Sequence, residues 1–126
     1  MSLNNSEWQT YTNNLAEDKF GLARLGWIAD YDDPVTYIEL FMNGNSYNYG
    51  EWVNDEYTDL VTQAKALPDG EERDGLLAQA EEILFGEGGY PCAPLYFYTQ
   101  NFCINSEVKN AGWTPLGYFL FTNATK

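Results

Sequence analysis

The chain has 126 residues, which is enough for one domain with a hydrophobic core. Its 19 acidic and 6 basic residues give a net charge of −13, which argues against nucleic acid or an anionic membrane surface as a partner. The absence of histidine excludes Ser–His and Cys–His nucleophile systems, a histidine general base and histidine-ligated zinc in this chain.

The N-terminal part of the chain predicts a helix followed by a strand. Residues 1–3 are interpreted as an added leader, and a helix is predicted over residues 7–17. Ser6 and Gln9 have the spacing of a capping box, with Ser6 as the N-cap. Residues 20–28 are apolar on both faces, apart from one arginine, and predict a strand buried under helices.

The acidic turn, residues 26–34 (Gly-Trp-Ile-Ala-Asp-Tyr-Asp-Asp-Pro), is the most informative part of the sequence. A carboxylate at the end of a strand lies at the rim of a sheet, where open α/β proteins bind ligands. An aromatic wall formed by Trp27 beside Asp30 suits a cation on an apolar body, such as a free amino terminus. Alternatively, Asp30 caps a helix that begins near Asp33 and Pro34, and Trp27 belongs to the core.

The middle of the chain predicts three helices and a polar loop. A short helix follows Pro34, and the loop 43–51 is interpreted as a series of turns, with the lining of a ligand cleft as the alternative. A helix that starts at Asn54 or Asp55 forms a hairpin with a helix that follows residues 68–70. The acids of both helices indicate a solvated surface rather than catalysis. The apolar faces consist of Tyr57, Leu60, Val61 and Ala64, and of Leu76, Leu77, Ala80, Ile83 and Leu84.

The last third of the chain predicts extended structure. Residues 91–102 alternate like a strand, residues 103–108 are a further extended segment, and residues 117–122 are a last strand. The whole order indicates an α/β or mixed α+β fold with a small sheet flanked by helices. Cys92 and Cys103 form neither a CxxC redox pair nor half of a zinc site, and a disulfide between them stays open.

The acidic turn resembles a motif of the oligopeptide- and dipeptide-binding proteins of ABC importers, extracellular solute-binding protein family 5. The resemblance covers nearly all of residues 5–123. It implies that residues 1–126 are a single fragment of the C-terminal lobe of a larger, two-lobed periplasmic-binding-protein-like fold. It also implies that residues 117–126 return to the missing N-terminal lobe. Further matching pieces are Tyr47-Asn48-Tyr49 with Trp52, Asn54 to Leu60, Glu72-Arg73 to Leu84, and Pro91 to Tyr98.

The resemblance implies a non-enzymatic receptor that captures short extended peptides for membrane permease subunits, with no cofactor and no metal. Asp30 would form a salt bridge with the α-amino group of the peptide. The main chain around Gly26 and Ile28 would run beside the ligand backbone, and Trp27 would wall a side-chain pocket. Such a protein works in the periplasm or, held by a lipid anchor, on the extracellular cell surface.

Three alternatives stay open at this stage. The same scaffold also serves receptors for oligosaccharides and other small solutes, so the fold does not set the ligand. A glycoside hydrolase would need two carboxylates across a cleft, for which Asp30, Asp32 and Asp33 are the candidates. A calcium loop is disfavoured because Pro34 and a missing glycine break its pattern. Peptide length and side-chain preference do not follow from the sequence.

Overall fold

The computed structural model describes residues 3–17, 20–87 and 89–126. Within them, α helices alternate with long irregular segments, and one small sheet lies near the end, in agreement with the predicted mixture of helix and small sheet. The elements are α1 (Trp8–Ala16), α2 (Val35–Ile38), a 3₁₀ turn (Glu39–Phe41), α3 (Asp55–Ala66), α4 (Glu71–Phe85), β1 (Gly112–Trp113) and β2 (Phe119–Leu120).

Helix α1 forms where the sequence predicts it, but its N-cap is Glu7 rather than Ser6. The Glu7 carboxylate accepts hydrogen bonds from the main-chain N–H groups of Gln9 and Thr10, at 2.9 and 3.2 Å. A carboxylate is favoured there because it also faces the positive end of the helix dipole. The predicted cap at Ser6 is therefore wrong by one residue.

The hairpin of α3 and α4 contains most of the core. The side chain of Asn54 caps α3 by accepting from the main-chain N–H of Tyr57 at 2.8 Å, as the sequence predicts. Tyr57 is fully buried, and its hydroxyl donates to the carbonyl of Ile38 at 2.5 Å, which fastens α2 to the hairpin. The predicted apolar faces are confirmed. Their buried members, with Val35 of α2, are Tyr57, Val61, Ala64, Leu77, Ala80 and Leu84.

The strand predicted over residues 20–28 is wrong. This segment is irregular, and Leu22 and Ile28 are 77% and 72% exposed. A buried strand needs a neighbouring main chain for its N–H and C=O groups. Among the described residues, no main chain pairs with this segment, so the hydrophobic pattern has no sheet to complete.

The C-terminal predictions are confirmed only in part. Residues 91–102 and 103–108 contain no strand, and Phe97 in the middle of the first segment is 97% exposed. Residues 119–120 do pair as β2, antiparallel to β1, with Gly112 opposite Leu120. The sheet is therefore limited to one short hairpin.

Two further predictions concern the whole chain. The thiols of Cys92 and Cys103 are unpaired in the structure, so the disulfide that the sequence left open is not formed here. In the described part of the chain, no helix is long and apolar enough to cross a membrane.

Candidate functional site

Two residues of the acidic turn, Trp27 and Asp30, are fixed to the N-terminal end of α2 through one buried hydroxyl. Thr36 is 1% exposed, and its Oγ1 accepts a hydrogen bond from the main-chain N–H of Asp30 at 3.2 Å. The same oxygen accepts from the indole Nε1 of Trp27 at 3.4 Å. The helix begins here because Pro34 presets its φ angle for the first turn. Trp27 and Asp30, two of the predicted ligand contacts, are thus brought together.

Asp33 is the acid that caps α2, so the alternative in which Asp30 is the cap is wrong. One Asp33 oxygen accepts from the main-chain N–H of Val35 at 2.8 Å. Both oxygens also contact Nη2 of Arg73 on α4, at 2.7 and 2.6 Å. The guanidinium beside it holds the pKa of Asp33 below its usual range. This ion pair attaches the acidic turn to the helical hairpin.

A second ion pair holds the other end of α2. Lys65 of α3 contacts Glu39 at 2.5 Å, and this contact lowers the pKa of that carboxyl. The hydroxyl of Tyr31 donates to the other oxygen of Glu39 at 3.0 Å. Burial, followed by the hydrogen bond to Glu39, raises the pKa of Tyr31 to about 12. Tyr31 is therefore a neutral donor at physiological pH, and Glu39 is fully engaged within the protein.

Two carboxylates of the turn remain available. Asp30 and Asp32 are both exposed, and neither carboxylate has a hydrogen bond or an ion pair with any other residue that the structure describes. The unpaired carboxylate of Asp30, on a main chain that shares the Thr36 hydroxyl with a half-buried indole, can accept a cation from outside the chain. Across the described ranges, no three acidic or cysteine side chains converge into a group that could hold a metal ion.

An aromatic corner lies beside this turn. The ring of Tyr47 packs edge-on against that of Trp27, with centroids 4.7 Å apart, and Tyr49 packs in the same manner against Tyr47 at 6.4 Å. The sequence places both tyrosines in the polar loop but does not reveal that Tyr47 reaches Trp27. The signal that points to them is a pair of aromatic residues within an asparagine-rich turn, because aromatic rings are costly to expose without a partner.

The asparagines of the loop have structural roles, which supports the interpretation as turns. Asn48 donates to the carbonyl of Trp52 at 2.7 Å and accepts from the N–H of the same residue at 3.3 Å. Asn45 accepts from the N–H of Tyr47 at 2.9 Å, an Asx-turn contact. These bonds hold the main chain that carries the aromatic corner.

Asn43 joins the start of this loop to the start of α3. Its Oδ1 accepts from the main-chain N–H of Asn54 at 3.0 Å, and its Nδ2 donates to Asp55 at 2.8 Å. Its own main-chain N–H donates to Oγ1 of Thr58 at 3.1 Å. The two ends of the loop are therefore clamped by one side chain.

Gly26 and Ile28 present unpaired main chain. Neither residue makes a main-chain hydrogen bond with another residue in the described ranges. The ring of Tyr98 lies beside Gly26, since a Cβ added there would be 3.5 Å from Cε2. Arg24 contacts the hydroxyls of Tyr98 and Tyr96, so side chains rather than main chain join the two extended segments. The sequence pattern does not reveal this contact, because the residues are more than 70 positions apart.

The sequence is similar to several binding proteins. It is 38% identical over 118 residues to the dipeptide-binding protein DppE of Bacillus subtilis, covering 94% of this chain and 21% of that protein. It is 34% identical over 125 residues to the oligopeptide-binding protein OppA of the same organism, covering 98% of this chain and 23% of that protein. It is 31% identical over 124 residues to the periplasmic oligopeptide-binding protein OppA of Haemophilus influenzae, again covering 98% of this chain and 23% of that protein. The chain thus spans about a fifth of the length of these relatives, and no family model matches it.

Proposed function

The chain belongs to the family of peptide-binding proteins of ABC importers, as a C-terminal segment of a longer protein, and we propose that this protein binds short extended peptides. We propose further that Asp30 pairs with the α-amino group of the peptide. The relatives are named for dipeptide or oligopeptide binding, which supports the ligand class.

The observation that carries the assignment of Asp30 is the distribution of partners among the acids. Asp33 is engaged by Arg73, and Glu39 is engaged by Lys65. Among the acids that the structure describes, only Asp30 combines a free carboxylate with a main chain that is fixed on the same hydroxyl as an aromatic wall. A charge-assisted hydrogen bond to an ammonium is strong when a ligand excludes water from it.

The main chain beside Asp30 supports an extended ligand. The N–H and C=O groups of Gly26 and Ile28 have no main-chain partner among the described residues, and such groups are what a peptide needs in order to add as a strand. Trp27, with Tyr47 packed against it, forms one wall for a ligand side chain. Main-chain pairing tolerates many sequences, so we expect affinity to depend more on the terminal amine than on the identity of the side chains.

The remaining features of the whole protein follow as proposals from family membership. The longer protein would have two lobes that enclose the peptide and pass it to membrane permease subunits, without catalysis. It would work in the periplasm or, lipid-anchored, at the outer cell surface.

The test is calorimetric titration of the full-length protein that contains this chain. A mixed tripeptide pool and the same pool after N-acetylation are titrated into wild type, Asp30→Asn and Asp32→Asn. We expect the free peptides to bind wild type, and acetylation or Asp30→Asn to weaken binding about tenfold or more, because each removes a charge-assisted bond. Asp32→Asn is the matched control, because it removes another exposed carboxylate two residues away.

The outcomes separate the parts of the proposal. Tight binding that is indifferent to acetylation and to Asp30→Asn would refute the role of Asp30 while keeping the peptide receptor. Equal losses in Asp30→Asn and Asp32→Asn would indicate a general effect of negative charge. Binding of an oligosaccharide and of no peptide would refute the ligand class.

A further inference from the structure

We propose that Thr36 is the positioning residue of the peptide site, a role that rests on the function proposed above. Thr36 lies behind the solvent-facing site, where a ligand does not reach it, since it is 1% exposed. It nevertheless accepts hydrogen bonds from both elements of that site, the main chain of Asp30 and the indole of Trp27. The hydroxyl would therefore fix the distance between the ammonium-binding carboxylate and the aromatic wall.

The chemistry of a hydroxyl suits this role. An oxygen with two lone pairs can accept two N–H donors at once, and the contacts of 3.2 and 3.4 Å use both. Thr36 lies in the first turn of α2, which Tyr57 fastens to the core and Asp33 fastens to α4. The hydroxyl is thus held by a rigid element, whereas residues 26–30 have no regular secondary structure of their own.

The consequence is preorganisation. Without this acceptor, Trp27 and Asp30 can turn toward water independently, and a ligand must then order both as it binds. The aromatic contact with Tyr47 would still hold the ring, but nothing described in the structure would link that ring to the main chain of Asp30.

The experiment compares three variants of the full-length protein. Thr36→Val keeps the shape but removes the acceptor, Thr36→Ser keeps the acceptor, and Thr114→Val removes a hydroxyl that accepts a main-chain N–H elsewhere, that of Tyr118 at 3.1 Å. Binding of the free and the N-acetylated tripeptide pool is measured by calorimetry. Exchange of the Asp30 amide and the Trp27 indole N–H is measured by NMR without ligand.

We expect Thr36→Val to weaken binding of free peptides about tenfold and to reduce the ratio between free and acetylated affinities, because the main chain that carries the carboxylate is no longer held in place. Thr36→Ser should stay within about twofold of wild type, both in the affinity for free peptides and in the ratio between free and acetylated affinities. Thr114→Val should leave that ratio unchanged. Both exchange rates should rise in Thr36→Val alone.

The two proposals can fail separately. If wild type binds no peptide, the proposed function is wrong, and exchange at Asp30 and Trp27 still decides whether Thr36 orders the turn. Unchanged exchange in Thr36→Val would overturn the inference, and so would an unchanged affinity ratio in a protein that does bind peptides. A loss that Thr114→Val shares, or that Thr36→Ser fails to rescue, would mean general destabilisation and would also overturn it.

Discussion

Tyr57 is the residue through which the hairpin supports the element that carries the site, and its hydroxyl can be tested separately from its ring. The side chain is fully buried, and the hydroxyl donates at 2.5 Å to the carbonyl of Ile38, the last residue of α2. Tyr57→Phe removes this bond and keeps the ring among Val61, Ala80 and Leu84. Loss of one buried hydrogen bond of this kind costs about 1–2 kcal/mol.

The loss of unfolding free energy is measured by urea unfolding of the chain, followed by the circular dichroism of its helices. The dependence of the unfolding free energy on urea concentration should be the same in the variant and in wild type. Tyr57→Ala, which also removes the ring, should cost about 3–5 kcal/mol. The control is Tyr37→Phe, since Tyr37 is 45% exposed and its hydroxyl has no partner among the described residues. We expect a change within about 0.5 kcal/mol for this control.

The same residue predicts a dependence on alkaline pH. Burial raises the pKa of Tyr57 above its usual value, so the folded protein resists ionisation of a group that ionises near pH 10 when unfolded. The resulting stability is present below about pH 10 and is lost as pH rises further. Tyr57→Phe should flatten this loss. If Tyr57→Phe and Tyr37→Phe were equally stable and lost the same stability as pH rises above about 10, Tyr57 would not be the link between α2 and the core.

Two further predictions concern the stability of the fold at low pH and the reactivity of the two thiols. Because Arg73 holds the pKa of Asp33 below its usual value, their pair should stabilise the fold above about pH 4 and lose its effect as pH falls. Urea unfolding should therefore show that Arg73→Met loses less stability between pH 6 and pH 3 than wild type does. An equal loss of stability in the two proteins would contradict this. Burial raises the pKa of the Cys92 thiol, whereas Cys103 is exposed. Iodoacetamide should therefore label Cys103 first, as peptide mass mapping can check.

The helical part of the fold could be predicted from the sequence, because its signals are local. The asparagine cap at Asn54, the face from Tyr57 to Ala64, and the break before α4 all lie within a few residues of the helices that they specify. Of the predicted strands only the last was confirmed, at residues 119–120, because a strand depends on a partner that often lies far along the chain. Residues 20–28 have the composition of a buried strand and nevertheless find no main chain to pair with among the described residues.

In the site too, features set by nearby residues could be predicted, and features that depend on distant residues could not. Trp27 and Asp30 were identifiable as neighbours from their spacing and from the resemblance of the turn to a known motif. Arg73 decides which acid of the turn is free, because it pairs with Asp33 from forty positions away. The pattern of the helix that contains Arg73 does not indicate this partner. The role of Thr36 could not be predicted, because an isolated threonine in a short helix belongs to no recognisable sequence pattern. Its role depends on burial and on two donors that approach from outside the helix.

The clamp at Asn43 makes the loop sensitive to chemical ageing. Asparagine is among the thermolabile residues, and Gly44, the residue that follows, adopts a positive φ of 76° and offers no side chain to shield the bond. Deamidation would replace the amide that donates to Asp55 at 2.8 Å with a second carboxylate. Two like charges would then face each other where the loop is closed, and Tyr47 would lose its fixed approach to Trp27 without any mutation in the gene.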